Sequence, residues 1–252
     1  MTRRAPGFSL IEMAFVLIIV TLLLGGLLVP FATQVEQKRI GETRKAMEEI
    51  KEALLGFALS HSSTDVSPAP IQPYLPCPDS TITPVPGDGS GATNDGREDR
   101  NLNGSCAVSE GNLPWVDLGV SQSDPWGNSF HYRVSLTFAD STSGFGLLAP
   151  TDGITVCSTF TGCPAANKLA DTLPAVVLSF GKNGQSFACP TAGRNDECEN
   201  RDIDANFVSR IITAASSPCG NPGQPLCEFD DLVTWLSPNV LFNRMVAAGR
   251  LP

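Results

Sequence analysis

Asp99, Asn101, Asn103 and Glu110 stand at positions 1, 3, 5 and 12 of a segment that fits D-x-[DN]-x-[DN]-G-x5-E, with Gly104 at the sixth. In such a loop the glycine permits a tight turn. The three side-chain oxygens, the Ser105 carbonyl and a bidentate Glu110 can then face one hard cation, and calcium suits that donor set. Against this, no flanking helices are apparent and Ala107 offers no ligand. The competing reading is an Asn- and Gly-rich turn with no ion.

Other chemistry is sparse. The chain carries no G-x-S-x-G, no P-loop and no H-E-x-x-H, and its two histidines, His61 and His131, have no evident partners. An enzyme is not expected. The eight cysteines, Cys77, Cys106, Cys157, Cys163, Cys189, Cys198, Cys219 and Cys227, form no C-x-x-C, so zinc has few ligand sets to choose from. Their even number suits disulfides in an oxidising compartment. Neighbour pairing joins Cys157 to Cys163, Cys189 to Cys198 and Cys219 to Cys227, leaving Cys77 and Cys106 to close a longer loop. With 17 basic and 26 acidic side chains the net charge is -9, and no basic patch with interleaved aromatics occurs. Nucleic acid would be repelled.

The elements that position these residues begin at the N-terminus. Arg3 and Arg4 precede residues 13–33, which are apolar except for Thr21 and Thr33. About 20 such residues span a hydrocarbon core as a helix, and the positive-inside rule keeps the arginines in the cytoplasm. A signal peptide would have a shorter apolar core and a small-residue cleavage site. Here Ile40, Met47, Ile50, Leu54 and Phe57 continue at helical spacing among charged residues, so the periodicity predicts one helix from about Ser9 to about Leu59. At 1.5 Å per residue it is roughly 75 Å long. Gly25, Gly26 and Pro30 weaken it midway. Glu12 is the anomaly, a carboxylate at the edge of the apolar run that costs on the order of 2.5–3.5 kcal/mol near a membrane centre and less near the interface.

Residues 61–91 are rich in Pro, Ser and Gly and read as a connector to a head over 92–252. Strands are predicted over 129–138, 154–157, 175–180 and 231–236. A terminal helix begins at Pro238 and carries Val240, Leu241, Met245 and Val246. The fold class is α+β: a long N-terminal helix, its first half membrane-spanning, packed on a head with an antiparallel sheet and disulfide-stapled loops.

The stretch Gly7-Phe8-Ser9-Leu10-Ile11-Glu12 resembles the processing motif of type IV pilin-like proteins. The resemblance implies a leader over 1–7, a cut between Gly7 and Phe8 by prepilin peptidase, and methylation of the new amine. It also implies a role for Glu12 in assembly, pairing with the terminal amine of a neighbouring subunit. Asp124-Pro125-Trp126-Gly127-Asn128-Ser129-Phe130-His131-Tyr132 is similar to a stretch of the major pseudopilin of type II secretion, and its turn chemistry marks it as fold-specifying. By that likeness Asp196, Glu197, Glu199, Asp202 and Asp204 occupy the place of the family's calcium loop; a solvated acidic loop is the alternative.

The function implied is a structural pseudopilin in type II protein secretion. Its partners would be other pilin-like subunits, the peptidase, the inner-membrane assembly platform and the membrane. It would sit in a bacterial inner membrane with a periplasmic head, and then in a filament. A minor type IV pilin is one alternative. A membrane-tethered binding module that does not polymerise is another.

Overall fold

The structure is a computed structural model. It describes residues 9–64, 71–80, 93–150, 153–159, 163–184, 189, 196–213 and 228–252, with the backbone but not the side chains of 23–32. Gly7, Phe8, Cys219 and Cys227 lie outside the described residues, as do the connector segments 65–70 and 81–92.

The chain divides into two units, residues 1–42 and 43–252. In the first, helix α1 (Leu10–Ser60) opens with a capping box. The Ser9 amide donates to Glu12 Oε2 at 2.9 Å, and the Glu12 amide donates to Ser9 Oγ at 3.3 Å. The helix is unbroken across Gly25, Gly26 and Pro30. Every large apolar side chain from Leu10 to Leu22 is exposed, from 41% at Val20 to 92% at Leu10. Among the described residues no helix is long and apolar enough to cross a membrane, and residues 23–32 stand outside that statement.

In the second unit the same helix is amphipathic. Thr43, Met47, Ile50, Leu54 and Phe57 are buried at alternating spacings of four and three, with Ala58 beside them, while Lys45–Glu49 and Lys51–Glu48 pair on the wet face. Past its last turn, His61 stacks on Phe57 with ring centroids 3.7 Å apart. The Arg250 guanidinium donates from Nη2 to the His61 carbonyl and to Ser62 Oγ, both at 2.6 Å. A cation brought from the far end of the sequence thus meets the negative end of the helix.

The main sheet has the order β1-β2-β5-β7, comprising Glu110–Asn112, His131–Val134, Ala175–Ser179 and Leu232–Leu236, antiparallel throughout. β5 reads AVVLS and is buried along its whole length, as a central strand covered on both faces must be. β2 alternates, with Tyr132 and Val134 inside. The predicted strand over 129–138 stops at Val134. There the Ser135 amide turns to the Pro174 carbonyl at 2.8 Å, and a short helix α3 (Leu136–Ala139) buries Phe138 and Ala139.

A second sheet, β4-β3-β6 (Lys168–Ala170, Thr155–Cys157, Asn206–Val208), was not legible as such, and its β3–β6 pair is parallel. Its Ile154, Val156 and Phe207 share a buried cluster with Leu173 and Val176, against which Val233 and Trp235 pack. Short helices α2 (Trp115–Leu118) and α4 (Asp196–Glu199) complete the connections, and α5 (Pro238–Ala247) closes the chain. Of its four expected apolar positions, Leu241 and Met245 are buried and Val240 and Val246 are half exposed. Cys77–Cys106, Cys157–Cys163 and Cys189–Cys198 lie at disulfide distance, with Cα atoms 5.3, 5.7 and 5.5 Å apart.

Candidate functional site

The turn before β2 holds the end of β5 in place. Asp124 Oδ1 accepts hydrogen bonds from the Trp126 and Asn128 amides, each at 2.9 Å, which is an Asx-type turn. Its other oxygen accepts from Ser179 Oγ at 2.7 Å, and Asn128 Nδ2 donates to the Gly181 carbonyl at 2.5 Å. Gly181 has φ +61°, and a Cβ there would sit 2.3 Å from the Asp230 carbonyl oxygen. Only glycine allows the chain leaving β5 to pass this close to Asp230, just ahead of β7.

That close approach assembles a carboxylate cluster. Among the described residues, Glu197 of α4, Asp230 and Asp231 bring one oxygen each to within 4.8 Å of one another. The Asp230 amide donates to Glu197 Oε1 at 2.9 Å, and Asn183 Nδ2 donates to Glu197 Oε2 at 3.0 Å. The Asn183 amide donates to Asp230 Oδ2 at 3.0 Å, and Asn200 Nδ2 donates to Asp231 Oδ2 at 2.9 Å. Glu197 and Asp231 are buried, at 0% and 2% exposure.

Burial is the leading cause that raises all three carboxyls. Glu197 is pushed up to about 7 and Asp231 to about 8, and Asp230 is raised as well. Hydrogen bonds from Asn183 and Asn200, and the Arg201 charge near Asp230 and Asp231, oppose the rise without cancelling it.

A hard cation fits this donor set. Asp230 Oδ1 and Asp231 Oδ1 are buried and, among the described residues, have no hydrogen-bond partner, a costly arrangement for carboxylates unless a proton or a metal supplies the missing charge. Three oxygen donors of this kind suit calcium, which accepts mixed carboxylate and carbonyl shells. Glu197, Asp230 and Asp231 would be its carboxylate ligands.

The residues expected to hold calcium are placed differently. Glu110 Oε1 meets His131 Nε2 at 2.7 Å and Glu110 Oε2 accepts from Arg133 Nη1 at 2.5 Å. Asp99 Oδ2 accepts from the Ser80 amide at 2.6 Å. Asn101 Nδ2 donates to Ser105 Oγ and the Cys106 carbonyl, while Asn103 Oδ1 accepts from the Ser105 amide and hydroxyl. The loop is closed by its own hydrogen bonds, and among the described residues Asp99 and Glu110 share no cluster of metal-ligating side chains.

In the second acidic stretch Asp196 accepts from Arg210 Nε at 2.5 Å, and Asp204 accepts from the Asn206 amide at 2.7 Å. Asp196, Glu199, Asp202 and Asp204 stay out of the cluster, and the stretch contributes Glu197 instead. Asp230 and Asp231 were missed. The one signal for them is an acidic pair set directly before the uncharged run LVTWL.

At the other end of the chain Glu12 is exposed, and its carboxylate is held by the Ser9 amide. No family model matches the chain, and no curated protein or solved structure matches it either.

Proposed function

We propose that this chain is the precursor of a filament subunit of the type IV pilin-like kind, nearest to the pseudopilins of type II secretion. It is cut between Gly7 and Phe8, held in the inner membrane by the apolar start of α1, and drawn by the assembly platform into a filament. The observation that carries the reading is the surface of α1 from Leu10 to Leu22, apolar on all sides and exposed, with one carboxylate, Glu12, at its start. A helix hydrophobic all round needs lipid or other helices against it.

The capping box adds a mechanism. Glu12 already faces the backbone amide of Ser9, one residue beyond the amine that cleavage would create on Phe8. A charged amine from a neighbouring subunit is a stronger partner for a carboxylate than a neutral amide, so exchanging one for the other favours assembly. Cysteine pairs at disulfide distance suit the periplasmic side of the membrane. The Glu197–Asp230–Asp231 site supplies the head with a calcium staple that ties α4 to the start of β7.

Glu12→Ala tests the assembly step. Membrane insertion should be unchanged, and incorporation into filaments should fall at least tenfold. Wild-type incorporation by the variant refutes the reading.

A further inference from the structure

Helix α4 carries Glu197 into the carboxylate cluster, yet it is a single turn of four residues. One turn fixes several dihedral angles for one hydrogen bond and does not stand by itself. Its sequence, DECE, brings Asp196, Glu197 and Glu199 to a place where Asp230 and Asp231 already stand. Without a cation, like charge pushes Glu197 away from that pair. Tethers must hold it there.

Some of them are hydrogen bonds. Asn183 Nδ2 and the Asp230 amide donate to Glu197 itself. Arg210 Nε donates to Asp196 at 2.5 Å, and the Asn200 side chain donates to the Val208 carbonyl and to Asp231 Oδ2. The covalent tether is the Cys189–Cys198 pair, with Cα atoms 5.5 Å apart and Cys198 the residue next to Glu197. Its cysteines are 9 residues apart in sequence, so the bond restrains this ligand directly rather than the head at large.

The pair is also asymmetric. Cys198 is buried, at 2% exposure, while Cys189 is exposed. An incoming thiolate therefore meets the Cys189 sulfur, and Cys198 is the leaving group.

We infer that the Cys189–Cys198 disulfide is a redox switch on the calcium site: oxidised, it holds Glu197 against Asp230 and Asp231 for calcium; reduced, it releases α4 and the affinity falls. The switch rests on the calcium reading of this cluster and is independent of the filament. The reductant is a dithiol, free or carried by an oxidoreductase. One of its thiolates bonds to Cys189 Sγ as the S–S bond breaks and Cys198 leaves. Its second thiol then closes the reductant's own disulfide and releases Cys189. Two electrons pass from the dithiol to the pair, and its two protons end on the two cysteines.

Closing so short a loop restrains a free chain by up to roughly a hundredfold. The hydrogen bonds of Asn200 and Arg210 keep part of that restraint after reduction, which leaves an effect of about tenfold on calcium binding. By reciprocity, calcium favours the disulfide by the same factor by which the disulfide favours calcium.

The test titrates calcium into the full chain in detergent at pH 7.5, by calorimetry, with oxidised wild type and with Cys189→Ala/Cys198→Ala. The expected Kd is about ten times higher in the double variant. A second measurement needs no substitution. Wild type is equilibrated in a dithiothreitol redox buffer with calcium or with chelator, alkylated, and mapped by mass spectrometry. The Cys189–Cys198 equilibrium should favour the disulfide about tenfold more with calcium, while that of Cys77–Cys106, which pins a different loop, should not move. A Cys189–Cys198 equilibrium indifferent to calcium, or one that shifts only as far as Cys77–Cys106 does, refutes the switch whatever the variant does. Equal Kd in wild type and variant refutes it as well, and leaves the calcium site standing. Oxidised wild type that binds no calcium overturns the switch and the calcium reading together.

Discussion

Replacing Asp231 by asparagine should stabilise the cation-free protein at neutral pH while removing its response to calcium. The carboxyl is almost fully buried, is held up to about 8 against an ordinary 3.8, and keeps one oxygen without a partner among the described residues. A carboxyl raised in the fold binds its proton more tightly there than in the unfolded chain. Its contribution is therefore complete below about pH 4 and is lost as pH rises towards about 8. At about 1.4 kcal/mol per tenfold in proton affinity, the gap is worth on the order of 5 kcal/mol once the group is ionised.

Asparagine keeps the shape and can still accept from Asn200, but it has no charge to desolvate. A gain of even ~2 kcal/mol would raise Tm by roughly 4–8 °C for a chain of this size. Scanning calorimetry of the full chain in detergent, from pH 5 to 8 with chelator or with millimolar calcium, reads both effects. Wild type should melt lower as pH rises in chelator and recover with calcium; Asp231→Asn should melt higher in chelator at pH 7.5 and ignore calcium. A wild-type Tm independent of pH and calcium, or a variant that melts lower in chelator at pH 7.5, would refute the reasoning.

Two further substitutions probe the frame around the cluster. Gly181→Ala forces a side chain into left-handed backbone and against the Asp230 carbonyl, so it should cost more than about 2 kcal/mol in chemical denaturation and blunt the calcium response. Arg250→Met retains the aliphatic stem but removes both hydrogen bonds to the end of α1, and should lower stability by about 1 kcal/mol by the same measurement.

What could be read in advance was whatever periodicity or turn chemistry encodes locally. The stripe of Ile40, Met47, Ile50, Leu54 and Phe57, the uncharged runs of β5 and β7, Pro238 at the start of α5, and the near-neighbour cysteine pairs are such features. The Asp124 turn was legible too, as structure-specifying chemistry. Its reach to Ser179 and Gly181, more than 50 residues away, was not.

Three-residue strands such as β1, β4 and β6 leave too little alternation to detect, and tertiary pairing defines them. The segment Asp99–Glu110 shows how tertiary pairing engages residues that a spacing pattern singles out. In the β1–β2 register Glu110 lies opposite Arg133, so its carboxylate satisfies a cross-strand cation rather than a loop. Arg100 and the Cys77–Cys106 pair then pin the loop to the core through the Leu75 and Ala139 carbonyls. The cluster that does form joins Glu197 to a pair more than 30 residues downstream, a juxtaposition made by tertiary packing.

Intact-mass spectrometry of the protein recovered from membranes of its own cells tests the central claim most directly. The account predicts a chain that begins at Phe8 and carries one methyl group on its terminal amine, and a Gly7 substitution that leaves the full-length form. A protein that still begins at Met1, or one cut beyond the apolar run, would contradict it.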